Sequence, residues 1–583
     1  MIPSRVTAKN IFIPALLFLF LSCSSDDRSQ NKIETQKKSA IQLNADLQSL
    51  AEEFFRWRAI TQPATGDDIP RVERPDKWVP DFSPEALNEQ SEVYGFFSSK
   101  LRELSKDSWN RADSVDFLLL KSAVERVNWE LNVLKLPNRN PDFYVQQTLG
   151  AVYELLLISS PMTAERAKNI IVRFNSFDKT IKDAIENLND PVAQYADIAL
   201  GNLENVRQNI EQTVAALNVL IAPSLHEEMT KSGESAIVAL ERYIDWLDAN
   251  QSNMSSDFSV GREGYEYFLK QIAVVPYTPE ELLEQGRLEW NRSVALEVYE
   301  VKRNAHLPPA ELFASSEDQI LQSRRDERTI RKFLEEKDIM TVPKWLQHYK
   351  NLKIPDHIKP LAYMGVVDDL TSESRLGEES VKYINEPSED LPFFSLASAQ
   401  DPRPIIIHEG IPGHYYQMAL SWRNPDPIRR HYIDSGSNEG IGFYVEELML
   451  QLGLFKDRPR TREIIYKFMR LRALRVEVDI QLALGNFSIE KAGTYLEKTV
   501  PLDYQTAVEE AGFFAYNPGQ AITYQIGKLQ IIKAISDAKI MQGDEFNLRH
   551  FHDYLMENGN VPIALLRWEY LGLRDEIGQF FDE

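Results

Sequence analysis

The 583-residue chain contains a single cysteine, and its basic residues are outnumbered by acidic ones. One cysteine permits no intramolecular disulfide and no zinc site built from cysteine thiolates. With 65 Lys and Arg against 88 Asp and Glu, the formal net charge is −23. A charge of this sign repels polyphosphate and excludes a typical nucleic-acid binder. Hydrophobic residues make up 43% of the chain, enough to build a large core. We therefore expect an acidic, globular, disulfide-free protein.

Long apolar runs are also scarce, and the clearest one lies at the N-terminus. Residues 11–21 (IFIPALLFLFL) follow two basic residues, but a helix needs about 20 residues to span a bilayer. A positive start with a short apolar stretch is typical of an export signal. Phe20-Leu21-Ser22-Cys23 then resembles a bacterial lipobox, in which the cysteine is lipidated and becomes the new N-terminus. The alternative is an ordinary signal peptide with an incidental cysteine.

The N-terminal pattern divides the chain into four parts. We predict a signal peptide over 1–22 and a lipid-anchored polar tether over 23–42. A helical N-terminal region over 43–275 and a metal-binding catalytic region over 276–583 follow. The predicted location is the bacterial cell envelope, where lipid on Cys23 would be the only membrane attachment. The membrane leaflet and the oligomeric state stay open.

Helical periodicity dominates the body, and strand signals are few. Ser83 and Thr278 are each followed by proline and acidic residues, which predicts a helix start at both places. The best strand signals are Val381–Asn385 and Pro404–Ile407. We expect a mainly α-helical, multi-helix fold with a small β-sheet near the active site.

Two histidines and a glutamate form the strongest chemical motif, His408-Glu409-Gly410-Ile411-Pro412-Gly413-His414. Two imidazoles that hold zinc, beside a carboxylate that accepts a proton from water, are what a zinc hydrolase needs. The histidines are six residues apart instead of the four of HExxH, so on a straight helix they would be roughly 120° out of line. Pro412-Gly413 predicts an interruption that brings both to one ion.

A tetrahedral catalytic zinc site needs a third protein ligand, and Glu439 is the candidate. It stands where we expect a helix to open, with Glu446 seven residues later on the same face. We predict Glu446 as a carboxylate that supports a ligand from behind. The alternative for Glu439 is a helix cap, since acids are favoured at helix N-termini.

Several motifs together resemble the bacterial family known as domain of unknown function 885. The matching segments, in chain order, are His408–Gln417 (HExxPGHxxQ), Glu439–Glu446 (EGWALYAE), Arg475 with Asp479, Tyr516–Gly527 (PGQAxxYxxG) and Phe546–Pro562 (FDLxxFHD and GxVP). The resemblance implies a helical zinc-peptidase-like fold, similar to carboxypeptidase Taq and thermolysin-related enzymes. It also implies His408, His414 and Glu439 as ligands of one zinc ion and Glu409 as general base.

The chain departs from the family pattern at three places. Ala483 stands where the family often has histidine, Phe513-Phe514 where it often has Arg-Tyr, and Ile441-Gly442 where it has Trp-Ala. An arginine at position 513 would suit a substrate carboxylate, so its absence argues against recognition of a terminal carboxylate at this place. We therefore predict a variant specificity with the metal ligands intact.

Three further residues are candidates for the site. Tyr516 and Tyr524 flank the PGQA turn and are predicted to stabilise an oxyanion, or else they serve packing. Asp479 either orients a ligand histidine or pairs with Arg475 one turn back.

The leading prediction is a zinc metallopeptidase, of carboxypeptidase or oligopeptidase type, with a peptide as substrate. Two alternatives remain open: a metallohydrolase of a non-peptide amide or ester, and a catalytically silent metal-binding scaffold lipoprotein.

Overall fold

The computed structural model describes residues 45–65, 72–106, 109–500 and 502–580. Cys23, the predicted signal peptide and the predicted tether lie outside these ranges. Helices dominate the described chain, so the expected mainly α fold is confirmed. None of its helices combines the length and apolar character that crossing a membrane requires.

Up to residue 336, the described elements are helices joined by loops, with one isolated β-bridge between Val192 and Ser255. The α-helices of this first part are α1 Ala45–Thr61, α2 Pro84–Glu103, α3 Arg111–Asn128, α4 Leu136–Arg139, α5 Pro141–Val145, α6 Ala151–Leu156, α7 Ala164–Asn187, α8 Ala193–Leu203, α9 Val206–Leu220, α10 His226–Asn250, α11 Gly261–Tyr267, α12 Pro279–Arg303 and α13 Ser316–Glu336. Short π-helices follow α3, α5 and α11, at Trp129–Val133, Gln146–Gly150 and Phe268–Ile272. Short 3₁₀ turns lie at Pro223–Leu225 and Gln251–Asn253.

The second part carries the sheet and further helices. The α-helices are α14 Phe393–Gln400, α15 Arg403–Ile405, α16 His414–Ser421, α17 Pro427–His431, α18 Ser435–Leu452, α19 Pro459–Ala483, α20 Ile489–Thr499, α21 Tyr504–Tyr516, α22 Thr523–Gln542, α23 Leu548–Glu557 and α24 Ile563–Leu571. One π-helix, Ile406–Gly410, joins α15 to the motif turn. The 3₁₀ turns are Lys359–Met364, Glu373–Arg375, Gly543–Glu545 and Gly578–Phe580.

Both predicted helix starts are confirmed by their capping contacts. The Ser83 hydroxyl accepts a hydrogen bond from the backbone N–H of Ala86 at the start of α2. Thr278 and Glu281 form a complete capping box at the start of α12. Each contact satisfies backbone donors that the first helical turn leaves without an intrahelical partner.

The sheet has three strands, β1 (Tyr349–Lys353), β2 (Asp368–Asp369) and β3 (Ser380–Ile384), in the order β1-β3-β2. β3 runs parallel to β1 and antiparallel to β2, and it pairs Lys382 with Asp368. The strand predicted at Val381–Asn385 is thus confirmed.

The strand predicted at Pro404–Ile407 is wrong, because this segment is helical and buried. A short apolar run buried on all sides has no periodicity to separate a strand from a helix.

Residues Ala45–Glu583 form one compact unit. The largest apolar cluster joins Leu47 and Leu120 from the first helices to Ile407, Phe443 and Leu565 near the C-terminal end. The predicted division near residue 275 stays a prediction.

Candidate metal centre

The helix that carries the motif is interrupted where the sequence predicts. A π-turn closes with the hydrogen bond from the N–H of Ile411 to the carbonyl of Ile406, 2.9 Å long. The Ile411–Pro412 peptide is cis, and a new helix, α16, begins at His414. Interruptions of this kind occur often at functional sites. Here the interruption brings His408 and His414 together, with ring centroids 4.7 Å apart.

Gly413 is required by this interruption. A Cβ atom at position 413 would lie 1.8 Å from the carbonyl oxygen of His408 and 2.4 Å from that of Ile407. Both are backbone atoms, so no side-chain rotation relieves the contact. Any residue other than glycine would therefore push the two histidines out of position.

The three predicted ligands converge on one point. The Nε2 atoms of His408 and His414 each lie 3.4 Å from Oε2 of Glu439. Hydrogen bonds between such groups are normally about 2.7–3.2 Å long. Ligand atoms of a tetrahedral zinc ion, with bonds of about 2.0–2.2 Å, lie about 3.3–3.5 Å apart. The observed spacing fits metal coordination better than hydrogen bonding.

Burial and hydrogen bonding at the three ligands also fit a metal ion. His408, His414 and Glu439 are 4%, 1% and 1% exposed. Both ring nitrogens of His414 and both carboxylate oxygens of Glu439 are buried, and no described residue makes a hydrogen bond with them. Such atoms are costly to bury unless something binds them. These three residues could hold a metal ion.

Glu439 lies in the second turn of α18, and this excludes the capping alternative. The helix begins at Ser435, and its N-cap is Asp434, whose side chain accepts a hydrogen bond from the N–H of Ser437. Four residues before Glu439 are therefore already helical, which the sequence did not indicate. Glu439 points inward as a buried carboxylate.

Glu446, which we predict to support a ligand from behind, lies next to His408. Its Oε1 atom lies 2.8 Å from Nδ1 of His408, while Nε2 of that histidine faces Glu439. Arg472 of α19 donates to Glu446 at 2.9 Å, and its Nη2 atom lies 3.4 Å from the same Nδ1 of His408. A carboxylate at Nδ1 fixes the ring orientation and the tautomer that leaves Nε2 free for a metal.

Charged neighbours set the ionisation of the site. Burial and Arg472 disfavour protonation of His408, but Glu439 and Glu446 outweigh them and raise its pKa to about 9. Burial also opposes ionisation of Glu439, yet His414 and His408 hold its pKa well below the ordinary value. The site thus collects negative charge that suits a cation.

Glu409, the predicted general base, is partly accessible and faces the small sheet. Burial opposes its ionisation, but Lys382 and the two histidines outweigh this and lower its pKa. Lys382 is ion-paired at 2.8 Å with Asp368 on the neighbouring strand. The ring of Tyr349 packs directly against Gly410. The expected sheet beside the site is therefore present.

The two tyrosines predicted for the oxyanion lie in different surroundings. The ring of Tyr524 lies nearly parallel to that of His408, with centroids 6.3 Å apart, so it borders the metal centre. Tyr516 packs edge-on against Tyr195 and lines a cavity of about 610 Å³. We call this the large cavity; Phe55, Trp129 and His431 also line it.

Asp479 plays neither of the two predicted parts. Its carboxylate accepts hydrogen bonds from the backbone N–H groups of Gly519 and Ile522, and Arg475 pairs instead with Glu510. Asp479 therefore holds the PGQA turn in shape. Its pKa is raised to about 7, because burial outweighs the backbone donors.

Sequence reasoning missed two residues, Arg472 and Lys382. Arg472 lies one helical turn before Arg475, so its spacing from a motif residue was the available signal. Lys382 alternates with the buried Val381 and Tyr383 in β3, which sets its side chain on the opposite face of the sheet. No local pattern shows that this face meets Glu409.

Comparisons with known proteins agree with the motifs. A solved structure of a candidate lipoprotein of unknown function from Shewanella oneidensis matches with a TM-score of 0.68 and 15% identity. That match covers 90% of this chain and 99% of the other. A candidate lipoprotein from Colwellia psychrerythraea matches with a TM-score of 0.68 and 18% identity, covering 91% and 98%. At these identities the likeness concerns the fold alone. No curated protein matches the chain. The family model described as "Bacterial protein of unknown function (DUF885)" matches residues 63–569, and the chain belongs to this family.

Proposed function

We propose that this protein is a zinc-dependent peptide hydrolase held in the bacterial cell envelope by lipid on Cys23. The observation that carries the proposal is the ligand spacing. His408 and His414 each lie 3.4 Å from Glu439, with the partly accessible Glu409 beside them. Three protein ligands leave one position for water or substrate, which is the arrangement of catalytic zinc sites.

The chain's own residues supply the proton transfers. Bound zinc would act as a Lewis acid that polarises the peptide carbonyl and acidifies water. Glu409 accepts a proton from the attacking water as its oxygen bonds to the carbonyl carbon. When the C–N bond breaks, Glu409 returns that proton to the leaving amine. Lys382 favours the ionised form of Glu409 that the first step needs.

Tyr524 is the better placed of the two tyrosines to stabilise the oxyanion. Its ring borders His408, and the guanidinium carbon of Arg475 lies 4.7 Å from its centroid. A positive charge near a phenol strengthens it as a hydrogen-bond donor. Tyr516 lines the large cavity and fits better as a substrate contact.

The envelope location is supported by the lipobox-like segment before Cys23 and by the two structural neighbours, both candidate lipoproteins. Radiolabelled fatty acid should be incorporated into the full-length protein and not into its Cys23→Ser variant. Incorporation into both would exclude the anchor.

Replacing Glu409 by glutamine tests the catalytic assignment. Glu409→Gln is expected to keep one zinc per chain while its turnover of a mixed peptide library falls about 100- to 10,000-fold, the usual contribution of a general base. Glu389→Gln removes the same charge from an exposed position and should retain the parent rate. Chelator should abolish turnover in both the parent and this control.

Three outcomes would overturn the proposal. Parent-like cleavage by Glu409→Gln would refute the general base, and purified protein without metal affinity would refute the zinc enzyme. Zinc binding without turnover of peptides would leave the two alternatives. Hydrolysis of non-peptide amides or esters would then favour the metallohydrolase, and no hydrolysis would favour the silent scaffold lipoprotein.

A further inference from the structure

The large cavity has a chemistry that the proposed mechanism does not use. Its volume of about 610 Å³ is typical of sites that enclose a small molecule or a few peptide residues. One wall comes from α3 and the π-helix after it, where Ala123, Arg126 and Glu130 follow one another at helical spacing. The lining also includes Tyr516 and Asn517, just before the PGQA turn.

Arg126 stands out among the basic groups of this cavity. Arg58 is bound to Glu130 at 2.8 Å, and Arg430 to Glu373 at 2.9 Å. Arg126 is half-buried, and its charge acts on the buried carboxyl of Asp434, whose pKa it lowers. Within the described part of the chain, however, no acceptor makes a hydrogen bond or ion pair with its guanidinium. A guanidinium carries five N–H donors that are arranged to grip a carboxylate.

Two other donors on the cavity wall are also unused. Nδ2 of Asn517 and Nη1 of Arg58 are buried without a hydrogen-bond partner, and Arg58 is only 5% exposed. Buried donors without partners are costly, so a ligand that supplies acceptors gains from binding them. Together with Arg126 they form a wall that offers N–H groups and positive charge.

The acidic groups of the same cavity do not cancel this character. Glu130 and Glu373 are engaged by Arg58 and Arg430. Asp142 accepts a hydrogen bond from Asn202 at 2.8 Å. Glu73 accepts a hydrogen bond from the N–H of Ser374 at 2.8 Å, and Glu52 is exposed to solvent. The buried and half-buried acids of the lining therefore already have partners.

Two parts of the cavity lining are neighbours of residues at the metal centre. Its lining includes Ile433, which directly precedes Asp434, the N-cap of the helix that carries Glu439. It also shares Val72, Glu73 and Ser372 with a smaller cavity of about 270 Å³ that reaches Asp368. The carboxyl of Asp368 lies close enough to Glu409 for the charge of Glu409 to help raise the pKa of Asp368.

We propose that Arg126, with Asn517, binds a carboxylate of the substrate in the large cavity and so determines specificity. This inference rests on the proposed function, because it concerns how a peptide is held for the same metal centre. The carboxylate has two possible sources, the free C-terminus of a peptide and an acidic side chain. Both present the same planar pair of acceptor oxygens.

Binding to zinc-loaded protein in the Glu409→Gln background tests the site without turnover. The probes for isothermal titration are N-acetyl-trialanine with a free carboxylate, its C-terminal amide, and an N-acetyl-Ala-Ala-Glu amide. We expect at least one carboxylate probe to bind roughly 10- to 100-fold more tightly than the trialanine amide, as charged hydrogen bonds typically provide. The preferred probe identifies the source.

Substitution assigns the preference to Arg126. Arg126→Gln should reduce the preference to less than about threefold, while Lys121→Gln, which removes the same charge from the same helix outside the cavity, should preserve it. Asn517→Asp should weaken the carboxylate probes more than the amide. Circular dichroism and thermal unfolding confirm that each variant is folded.

The proposal is refuted if the Glu409→Gln protein shows no preference, or if the preference survives in Arg126→Gln. Binding through Arg126 in a protein that cleaves no peptide would refute the hydrolase and leave the carboxylate site standing. Cleavage that does not distinguish acid from amide would refute the site alone.

Discussion

Replacing Glu446 with glutamine should weaken zinc binding although all three ligands stay in place. Glu446 is fully buried and lies between Nδ1 of His408 and the guanidinium of Arg472. The substitution keeps the size of the side chain but removes its charge. His408 then loses the carboxylate that fixes its ring, and Arg472 keeps a buried charge without its partner.

The two losses have different magnitudes. A supporting carboxylate of this kind is typically worth about 10- to 100-fold in metal affinity. Removing one partner of a buried ion pair costs about 3–5 kcal/mol of unfolding free energy. Arg472 retains contacts with the rings of Phe443 and Phe468, 5.1 and 5.3 Å from its guanidinium carbon. Because these cation–π contacts still stabilise the arginine, we expect a loss at the lower end of this range, about 3 kcal/mol of unfolding free energy.

Zinc affinity is measured by competition with a chromogenic chelator, and stability by denaturant unfolding of the metal-free protein. Glu447→Gln is the matched control, since Glu447 lies beside Glu446 in α18 and pairs with the fully buried Lys528 at 3.0 Å. It should keep parent zinc affinity and lose less stability than Glu446→Gln, because Lys528 and Arg292 both retain Glu289 as a partner. Glu446→Gln with Arg472→Met should recover part of the stability, because the unpaired charge is gone.

Unchanged zinc affinity in Glu446→Gln would refute the idea that this carboxylate orients His408. Equal losses of zinc affinity in Glu446→Gln and Glu447→Gln would show that general destabilisation is the cause.

Two further predictions concern the turn before His414 and a buried histidine. Gly413→Ala should abolish zinc binding, because its Cβ would lie 1.8 Å from the carbonyl oxygen of His408. Gly95→Ala is the control, because a Cβ at this position in the middle of α2 meets open space. It should stabilise the protein by about 0.5–1 kcal/mol. Zinc content and thermal unfolding check both, and a zinc-replete Gly413→Ala protein would contradict the geometry. His552 is fully buried, and burial lowers its pKa to about 4. Below about pH 6.5, His552 therefore binds a proton in the unfolded chain but not in the folded protein. As a result, the free energy of unfolding falls as the pH decreases from 6.5 to 4, by at most about 1.4 kcal/mol per pH unit. Denaturant unfolding at pH 7 and 5 should show a smaller loss of stability for His552→Gln than for the parent protein. An equal loss in both would contradict the lowered pKa of His552.

Local sequence predicted the features that depend on local chemistry. Ser83 and Thr278 cap helices because a hydroxyl before proline satisfies the first backbone donors. Pro412 and Gly413 interrupt the motif helix because one lacks an N–H and the other lacks a Cβ. The spacing of His408 and His414 needed that interruption, so the sequence predicted both the ligands and the break.

Predictions that depended on distant neighbours were less successful. The run Pro404–Ile407 is helical although its residues suit a strand, since burial on every side removes any alternation. Asp479 supports the turn at Gly519 because the tertiary structure places α19 within hydrogen-bond distance of that turn. Neither contact has a counterpart in nearby residues.

The sequence by itself determined the kind of chemistry available to this protein. With one cysteine and few histidines, a metal site had to use His and Glu, and a single motif brings them close along the chain. Tertiary structure decided how that chemistry is controlled. Arg472, Lys382 and Arg126 come from α19, β3 and α3, and packing brings them to Glu446, to Glu409 and to the wall of the large cavity. Electrostatic interactions act through space, so residues remote in sequence set the charge and access of a site whose ligands the sequence had already indicated.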